Sequence, residues 1–251
     1  MNRIYVYNGS FEGFLAALEV ALQPGLPPED IVPEKDFIPS LFAQAIKAEP
    51  CARRLHGFIE RLKRDAPGVT LKKIFYTYLS DVPQRGMLAY RYLIFVFEHG
   101  HQAGRFLSEE AVSRVEDLSY KVSREAHRLK GFVRFKELAD GVLYAAVEPD
   151  HNILPLISSH FVKRMRRERW VIHDVRRHLA AVNGDGVCRL VDIQLVCSPV
   201  YSGEEYDYQR LWREYFKTIA IESRLNPRLQ RQFLPRRYWK YLVEMSAPAR
   251  P

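Results

Sequence analysis

The sequence has little cysteine and no long apolar run, and both absences exclude classes of protein. Its 251 residues include three cysteines, Cys51, Cys188 and Cys197, far apart in the chain. This scattered, odd-numbered set predicts neither a disulfide framework nor a paired zinc motif, and it lacks the clustered thiolates of an iron–sulfur site. No stretch of about 18 apolar residues could span a membrane, and the first residues carry no apolar signal segment. We therefore expect a cytoplasmic protein that does not associate with a membrane and binds no metal or cofactor.

Recognisable catalytic motifs are also missing. There is no metalloprotease-type histidine pair, no Walker loop and no serine nucleophile elbow. The remaining candidates for catalysis are His127, Asp150, His151, His173 and Asp174. Asp150-His151 and His173-Asp174 each combine a carboxylate with an imidazole, which suits a general acid–base pair or a two-histidine and carboxylate metal site. In the alternative, Asp150 caps a helix, His173 packs in the core and Asp174 pairs with an arginine. The sequence leaves catalysis open.

Positive charge is in excess. The chain has 38 Lys and Arg against 30 Asp and Glu, a net charge of +8. Such an excess favours an anionic partner, with nucleic acid the first choice. The charge is concentrated near the C-terminal end, where residues 226–239 mix arginines, amides and aromatic rings. Arginine forks match phosphate oxygens, while Tyr and Trp faces stack on unpaired bases.

Three basic runs are the predicted nucleic-acid contacts. Their residues are Arg124, Arg128 and Lys130, then Arg166 and Arg167, then Arg228, Arg231, Arg236 and Arg237. Tyr238, Trp239 or Phe233 would stack on bases. In the alternative, the same charges form solvated helix faces with ordinary ion pairs, and the aromatic rings pack in the core.

Hydrophobic periodicity predicts an α+β protein. We expect an antiparallel sheet of four to five strands packed with several helices, and an N-terminal half that is mainly helical. Strands are predicted at 3–7, 132–136, 141–147, 170–174, 179–182 and 187–196. Helices are predicted at 11–22, 38–48, 51–65, 69–80, 85–98, 108–130 and 153–165.

The expected organisation is a strand-plus-helix region over 1–120 and an α+β region over 121–251, which could also form one compact unit. Ser10 is a predicted N-cap, and Gly131 a left-handed helix end. Asp140-Gly141 and the segment 183–186 predict hairpin turns. A helical stripe near the C-terminal end is predicted to face the core: Tyr208, Leu211, Trp212, Tyr215, Phe216, Ile219 and Ala220.

Five segments carry a resemblance to a known family: YNGSFEG (7–13), SREAHRLKGFVRF (123–135), DGVLYAAVEPDHNILPL (140–156), WVIHDVRR (170–177) and NPRLQRQFLPRRYWK (226–240). In these segments the chain resembles a bacterial family of uncharacterised DNA-repair or DNA-metabolism proteins. In that family the domain occurs alone or ahead of a uracil-DNA glycosylase-like domain, and the standalone form is encoded beside a radical-SAM protein. The resemblance implies a pathway and carries no catalytic assignment.

The leading hypothesis is an accessory protein that holds single-stranded or damaged DNA for a glycosylase-like or radical-SAM partner. One alternative is a hydrolase that processes nucleotides or nucleic acid with the histidine and aspartate loops. Another is a protein-interaction module whose basic surface meets an acidic partner.

Overall fold

The structure is a computed structural model that describes residues 2–25, 27–39, 41–194, 198–224 and 226–245. The chain divides into two compact units, Met1–Ser123 and Arg124–Pro251, and the division falls within one long helix. Cys197 and the end of the predicted strand 187–196 lie outside the described residues. Within those ranges, no helix has the length and apolar character needed to cross a membrane.

The first unit contains a three-stranded parallel sheet. Its central strand β1 (Asn2–Tyr7) lies between β2 (Asp30–Pro33) and β3 (Ala43–Lys47). Helix α1 (Phe11–Ala21) crosses from β1 to β2. The Ser10 hydroxyl accepts a hydrogen bond from the backbone N–H of Gly13 at 2.9 Å, which confirms the predicted N-cap.

Two strands of this sheet are absent from the prediction. No strand is predicted at β2, which is short and ends at a proline, and β3 occupies part of the segment predicted as a helix over 38–48. The Ala, Gln and Lys residues of β3 favour a helix locally, but pairing with β1 overrides that weak preference. β1 therefore belongs to its own sheet, and the N-terminal region is not a helical layer added to a single strand.

Helices complete the first unit at the predicted positions. They are α2 (Ala52–Asp65), α3 (Thr70–Leu79), α4 (Arg85–His99) and the first part of α5 (Glu110–Phe132). Gly86, at the start of α4, lies directly against β2. A Cβ atom at Gly86 would be 2.2 Å from the carbonyl oxygen of Ile31, so this close approach of helix and strand requires glycine.

The second unit contains a five-stranded mixed sheet, within the predicted number of strands. In spatial order the strands are β4 (Lys136–Glu137), β5 (Leu143–Val147), β6 (Trp170–Asp174), β7 (Leu179–Gly184) and β8 (Val187–Asp192). β5 and β6 run parallel and the other pairs antiparallel, so the predicted all-antiparallel sheet is wrong. The reason is helix α6 (Leu154–Arg164), which carries the chain back across the sheet before β6 begins.

The turn chemistry of this unit is partly as predicted. Asp185 and Gly186 join β7 to β8 with φ of 54° and 79°, the left-handed conformations of a two-residue hairpin turn. Gly131 does not end its helix, because α5 continues to Phe132. The chain then forms α7 (Glu205–Thr218), α8 (Pro227–Phe233) and a 3-10 segment, Arg236–Tyr241.

Candidate functional site

The β5–α6–β6 unit brings two loops to one edge of the sheet. Residues 148–153 follow β5 and residues 175–178 follow β6, at the carboxyl ends of adjacent parallel strands. In sheets with parallel strands, ligands commonly bind in the crevice outside this edge. The 3-10 segment Arg236–Tyr241 packs against β5 and adds its basic residues to the same place.

A pocket of about 270 Å³ opens there. Its lining residues are Glu148, Asp150, Arg176, Arg236, Arg237 and Lys240, so four cations face two carboxylates. Lys240 and Glu148 form an ion pair, which lowers the pKa of Glu148 and raises the pKa of Lys240. Arg237 lies 2.6 Å from a carboxylate oxygen of Asp150. The six lining residues therefore carry a net charge of +2, and Glu125, 3.4 Å from Arg237, adds one negative charge beside them.

A buried carboxylate, Glu125, organises one side of this pocket. It accepts hydrogen bonds from the backbone N–H groups of Asp150 at 2.8 Å and His151 at 2.9 Å. It also accepts from the hydroxyl of Tyr238 at 2.5 Å, while Arg237 lies 3.4 Å away. Burial and this carboxylate together raise the pKa of Tyr238. Glu125 therefore ties helix α5, the loop after β5 and the 3-10 segment to one another.

A second buried carboxylate joins the two loops. Asp174 is completely buried at the end of β6, and Nη1 of Arg177 lies 2.8 Å from its Oδ2. The same guanidinium donates to the carbonyl oxygens of Pro149 at 3.0 Å and Asp150 at 2.6 Å. Burial raises the pKa of Asp174, although Arg177 opposes that shift. The loops after β5 and β6 are thus held rigidly by charge-assisted hydrogen bonds.

A larger cleft, of about 550 Å³, lies along α7 in the same unit. The aromatic and aliphatic stripe predicted to face the core forms one wall of it and is exposed: Tyr208, Leu211, Trp212 and Tyr215. Glu244 holds two of the lining residues, accepting from Arg134 at 2.7 Å and from Trp212 Nε1 at 2.9 Å. The core assignment of this stripe is therefore wrong.

The match to one family model shows which protein family the chain belongs to. The domain of unknown function DUF4130 matches residues 83–244, which is more than half of the chain. The chain belongs to the DUF4130 family. The matched residues include all those that line the basic pocket and the α7 cleft. No curated protein and no solved structure matches the chain.

The candidates for catalysis in this DUF4130 domain lie in different environments, although Arg177 bridges Asp174 and the backbone of Asp150. His173 is buried with its Nδ1 2.8 Å from the Tyr144 hydroxyl, and burial lowers its pKa. Successive strand residues point to opposite faces, so His173 and Asp174 do not form an acid–base pair. His127 is exposed on α5. Across the described ranges, no group of three or more His, Cys, Asp or Glu residues is arranged to hold a metal ion.

The predicted helix cap before α6 is also corrected. The cap position is Ile153, with no side-chain hydrogen bond to the first turn, and the helix begins at Leu154. Asp150 pairs with Arg237 instead. His151, half-buried in the same loop, uses its backbone N–H to bond Glu125.

The C-terminal basic run separates into anchors and exposed residues. Tyr238 is 3% exposed, so the stacking role predicted for it does not fit its position. Arg237 holds Asp150 and Glu125 and acts as an anchor. Arg236 is exposed, with its guanidinium 5.8 Å from the ring of half-buried Trp239. Arg228, Arg231 and Phe233 are exposed on α8.

The other two basic runs lie elsewhere on the second unit. Arg166 and Arg167 are exposed after α6. Arg124 is exposed on α5, whereas Arg128 and Lys130 are half-buried. Arg128 donates weakly to the carbonyl oxygen of Gln232, at 3.4 Å. The pocket residues Arg176 and Lys240 and the whole α7 wall were missed, because only the tertiary fold brings them to a common surface.

The ion pair of Glu244 makes a pH-dependent contribution to stability. Burial alone would raise the pKa of Glu244, but hydrogen bonds from Arg134 and Trp212 outweigh burial and lower it. A lowered folded-state pKa means that the stabilisation is complete above the ordinary value of 4.5 and is lost as pH falls through the lowered value. We expect Glu244→Gln to reduce the free energy of unfolding at pH 7 by about 1.5–3 kcal/mol.

Urea unfolding followed by tryptophan fluorescence measures this difference. The signal reports the second unit, since Trp170, Trp212 and Trp239 all lie in it. The difference in the free energy of unfolding between wild type and Glu244→Gln should decrease from pH 7 to pH 3. The control, Glu214→Gln, changes an exposed glutamate of α7 and should have the same free energy of unfolding as the wild type. A difference for Glu244→Gln that stays constant with pH would contradict this account.

Proposed function

We propose that this protein binds DNA, with single-stranded or damaged segments as the target, as a cytoplasmic accessory of DNA repair or DNA metabolism. The observation that carries the proposal is the pocket at the carboxyl edge of β5 and β6, where four cations meet two carboxylates. A net positive pocket of this kind suits a phosphate group. The resemblance described above supplies the pathway, and a glycosylase-like or radical-SAM partner would perform the chemistry.

The rigidity of the pocket supports this function. Its two loops are held by Glu125 and by the Asp174–Arg177 pair, through hydrogen bonds of 2.6 to 3.0 Å to the backbone of residues 149–151. A site whose residues are already ordered loses little conformational entropy on binding. The pocket is therefore preorganised for binding an anion.

Exposed arginines extend the positive surface beyond the pocket. Arg228 and Arg231 are exposed on α8, a few residues before Arg236 in the chain. Several phosphate contacts along one strand would give the salt-dependent affinity typical of nucleic-acid binding. Arg237 is excluded from this set because it anchors the loop after β5.

Binding of a fluorescent single-stranded oligonucleotide across a salt series tests the proposal. The informative variant is Arg176→Ala with Arg236→Ala, which removes two lining cations and leaves the anchors intact. The slope of log affinity against log salt should become shallower by about 1.4, because each phosphate contact on a single strand contributes about 0.7. The matched control, Arg105→Ala with Arg189→Ala, removes two exposed arginines outside the predicted runs.

The control should bind as the wild type does. Equal losses in both double variants would mean that net charge alone, and not the pocket, attracts DNA. Undetectable binding of the wild type at low salt would refute DNA binding altogether, and a co-purifying protein would then point to the protein-interaction alternative.

A further inference from the structure

The α7 cleft exposes more aromatic surface than a packed domain normally leaves in contact with water. Tyr208 is 59% exposed, Trp212 40% and Tyr215 55%. These rings recur at spacings of three and four residues, so they share one face of the helix. A contiguous apolar face of this kind marks a binding surface.

Polar groups distinguish the cleft from a plain groove for a partner helix. The Arg134 guanidinium lies 5.5 Å from the Trp212 ring centre and is held there by Glu244. Arg213, next to Trp212 in α7, donates to the carbonyl oxygen of Val243 and to the side chain of Gln209, two residues that line the cleft. Ring faces together with fixed donors and acceptors suit a planar, polar aromatic group.

The charged side chains that line the cleft balance each other. They are Arg134 and the buried Glu205, and each adjoins a group of opposite charge outside the lining: Glu244 pairs with Arg134, and Lys136 lies near Glu205. Burial lowers the pKa of Lys136, while Glu205 opposes that shift. The cleft itself therefore suits a neutral aromatic group. An unpaired nucleic-acid base is such a group, because its strand carries the charge on the phosphates outside the cleft.

We propose that the α7 cleft stacks an unpaired base of the same strand whose phosphates bind the basic pocket. This inference rests on the proposed function. Lys240 lines the pocket and Val243 lines the cleft. These residues are three positions apart in the chain, so the distance between their Cα atoms is at most about 11 Å. One strand can therefore reach both. Tyr208, Trp212 and Tyr215 take the stacking role first assigned to Tyr238.

The test compares two single strands, one of thymidine nucleotides and one of the same length with abasic sugars. Tyr208→Ala should weaken binding of the thymidine strand about tenfold, in the range measured for loss of one stacked base. Its salt slope should equal that of the wild type, because no phosphate contact is removed. Binding of the abasic strand should not change, and Tyr208→Phe should restore thymidine binding.

The matched control is Tyr206→Ala, at an exposed tyrosine of α7 that does not line the cleft. It should bind both strands as the wild type does. Equal weakening on the abasic strand, or no weakening while the wild type binds DNA, would overturn the stacking site and leave the proposed function standing. A wild-type dimer that becomes a monomer in Tyr208→Ala would overturn it in favour of a second copy of the chain. Absence of any DNA binding by the wild type would overturn both proposals.

Discussion

Glu125→Ala is expected to lower the free energy of unfolding of the second unit by about 3–5 kcal/mol. The substitution leaves three buried or half-buried donors without their acceptor: the backbone N–H groups of Asp150 and His151 and the hydroxyl of Tyr238. Each buried donor that loses its partner costs about 1–3 kcal/mol. Glu125 is 7% exposed, so water cannot easily replace it. The loop after β5 would lose its attachment to helix α5.

Urea unfolding followed by tryptophan fluorescence measures this loss in the second unit alone. Glu125→Gln keeps one acceptor oxygen in nearly the same shape and should cost clearly less than the alanine variant. Tyr238→Phe removes one of the donors and should cost about 1.5–3 kcal/mol, the usual net contribution of a hydrogen bond to a charged group. A loss below about 1 kcal/mol for Glu125→Ala would mean that the loop is held by other contacts.

Arg177→Met is expected to have a similar effect for a different reason. The variant keeps an unbranched apolar side chain but removes the charge opposite Asp174, which is completely buried. Removal of one partner of a buried pair costs about 3–5 kcal/mol, because an uncompensated charge is left behind. The carbonyl oxygens of Pro149 and Asp150 would also lose a donor.

The pH dependence gives this prediction its sign. Burial already raises the pKa of Asp174 above its ordinary 3.8, and loss of Arg177 would raise it further. Because the pKa of Asp174 is raised in the folded state, the destabilisation is complete at pH values above that raised pKa. The destabilisation is relieved as pH falls toward 3.8, since Asp174 then takes up a proton in the folded protein. Stability of Arg177→Met relative to wild type should therefore recover on acidification.

A double-mutant cycle separates the charge from the packing. Asp174→Asn with Arg177→Met replaces the pair by neutral groups of similar size and should be more stable than Arg177→Met alone. If the double variant is the less stable of the two, the Asp174 carboxylate contributes more than its pairing with the guanidinium, since it also accepts from the backbone N–H of Arg177. The single variants Asp174→Asn and Arg177→Met should also weaken binding of single-stranded DNA, because the pocket loops would no longer be held in place.

Local signals predicted the local structure of this chain. Ser10 before an apolar helical stripe caps α1, and Asp185-Gly186 between alternating segments forms the β7–β8 turn. Both features depend only on a few neighbouring residues, whose preferred backbone angles and hydrogen bonds are properties of the residue types. The positions of α2 to α6 could be predicted from hydrophobic periodicity for the same reason.

The candidate site was predictable only in part. Two of its four basic residues, Arg236 and Arg237, belong to a run visible in the sequence, and Arg236 is exposed at the pocket. Residues two positions apart nevertheless have opposite environments: Tyr238 is buried against Glu125, whereas Arg236 is exposed to solvent. Glu125 and Tyr238 are more than one hundred residues apart, so no local pattern could link them.

By itself, the sequence determined the Ser10 cap, the turn between β7 and β8, most helices and the excess of positive charge, because these depend on residue type and nearest neighbours. Tertiary structure decided that β5 and β6 run parallel, which brings the loops after them to one edge of the sheet. It also decided that the aromatic face of α7 is exposed. An apolar helical stripe is the same signal whether it packs in a core or lines a binding cleft, and only the surrounding elements distinguish the two.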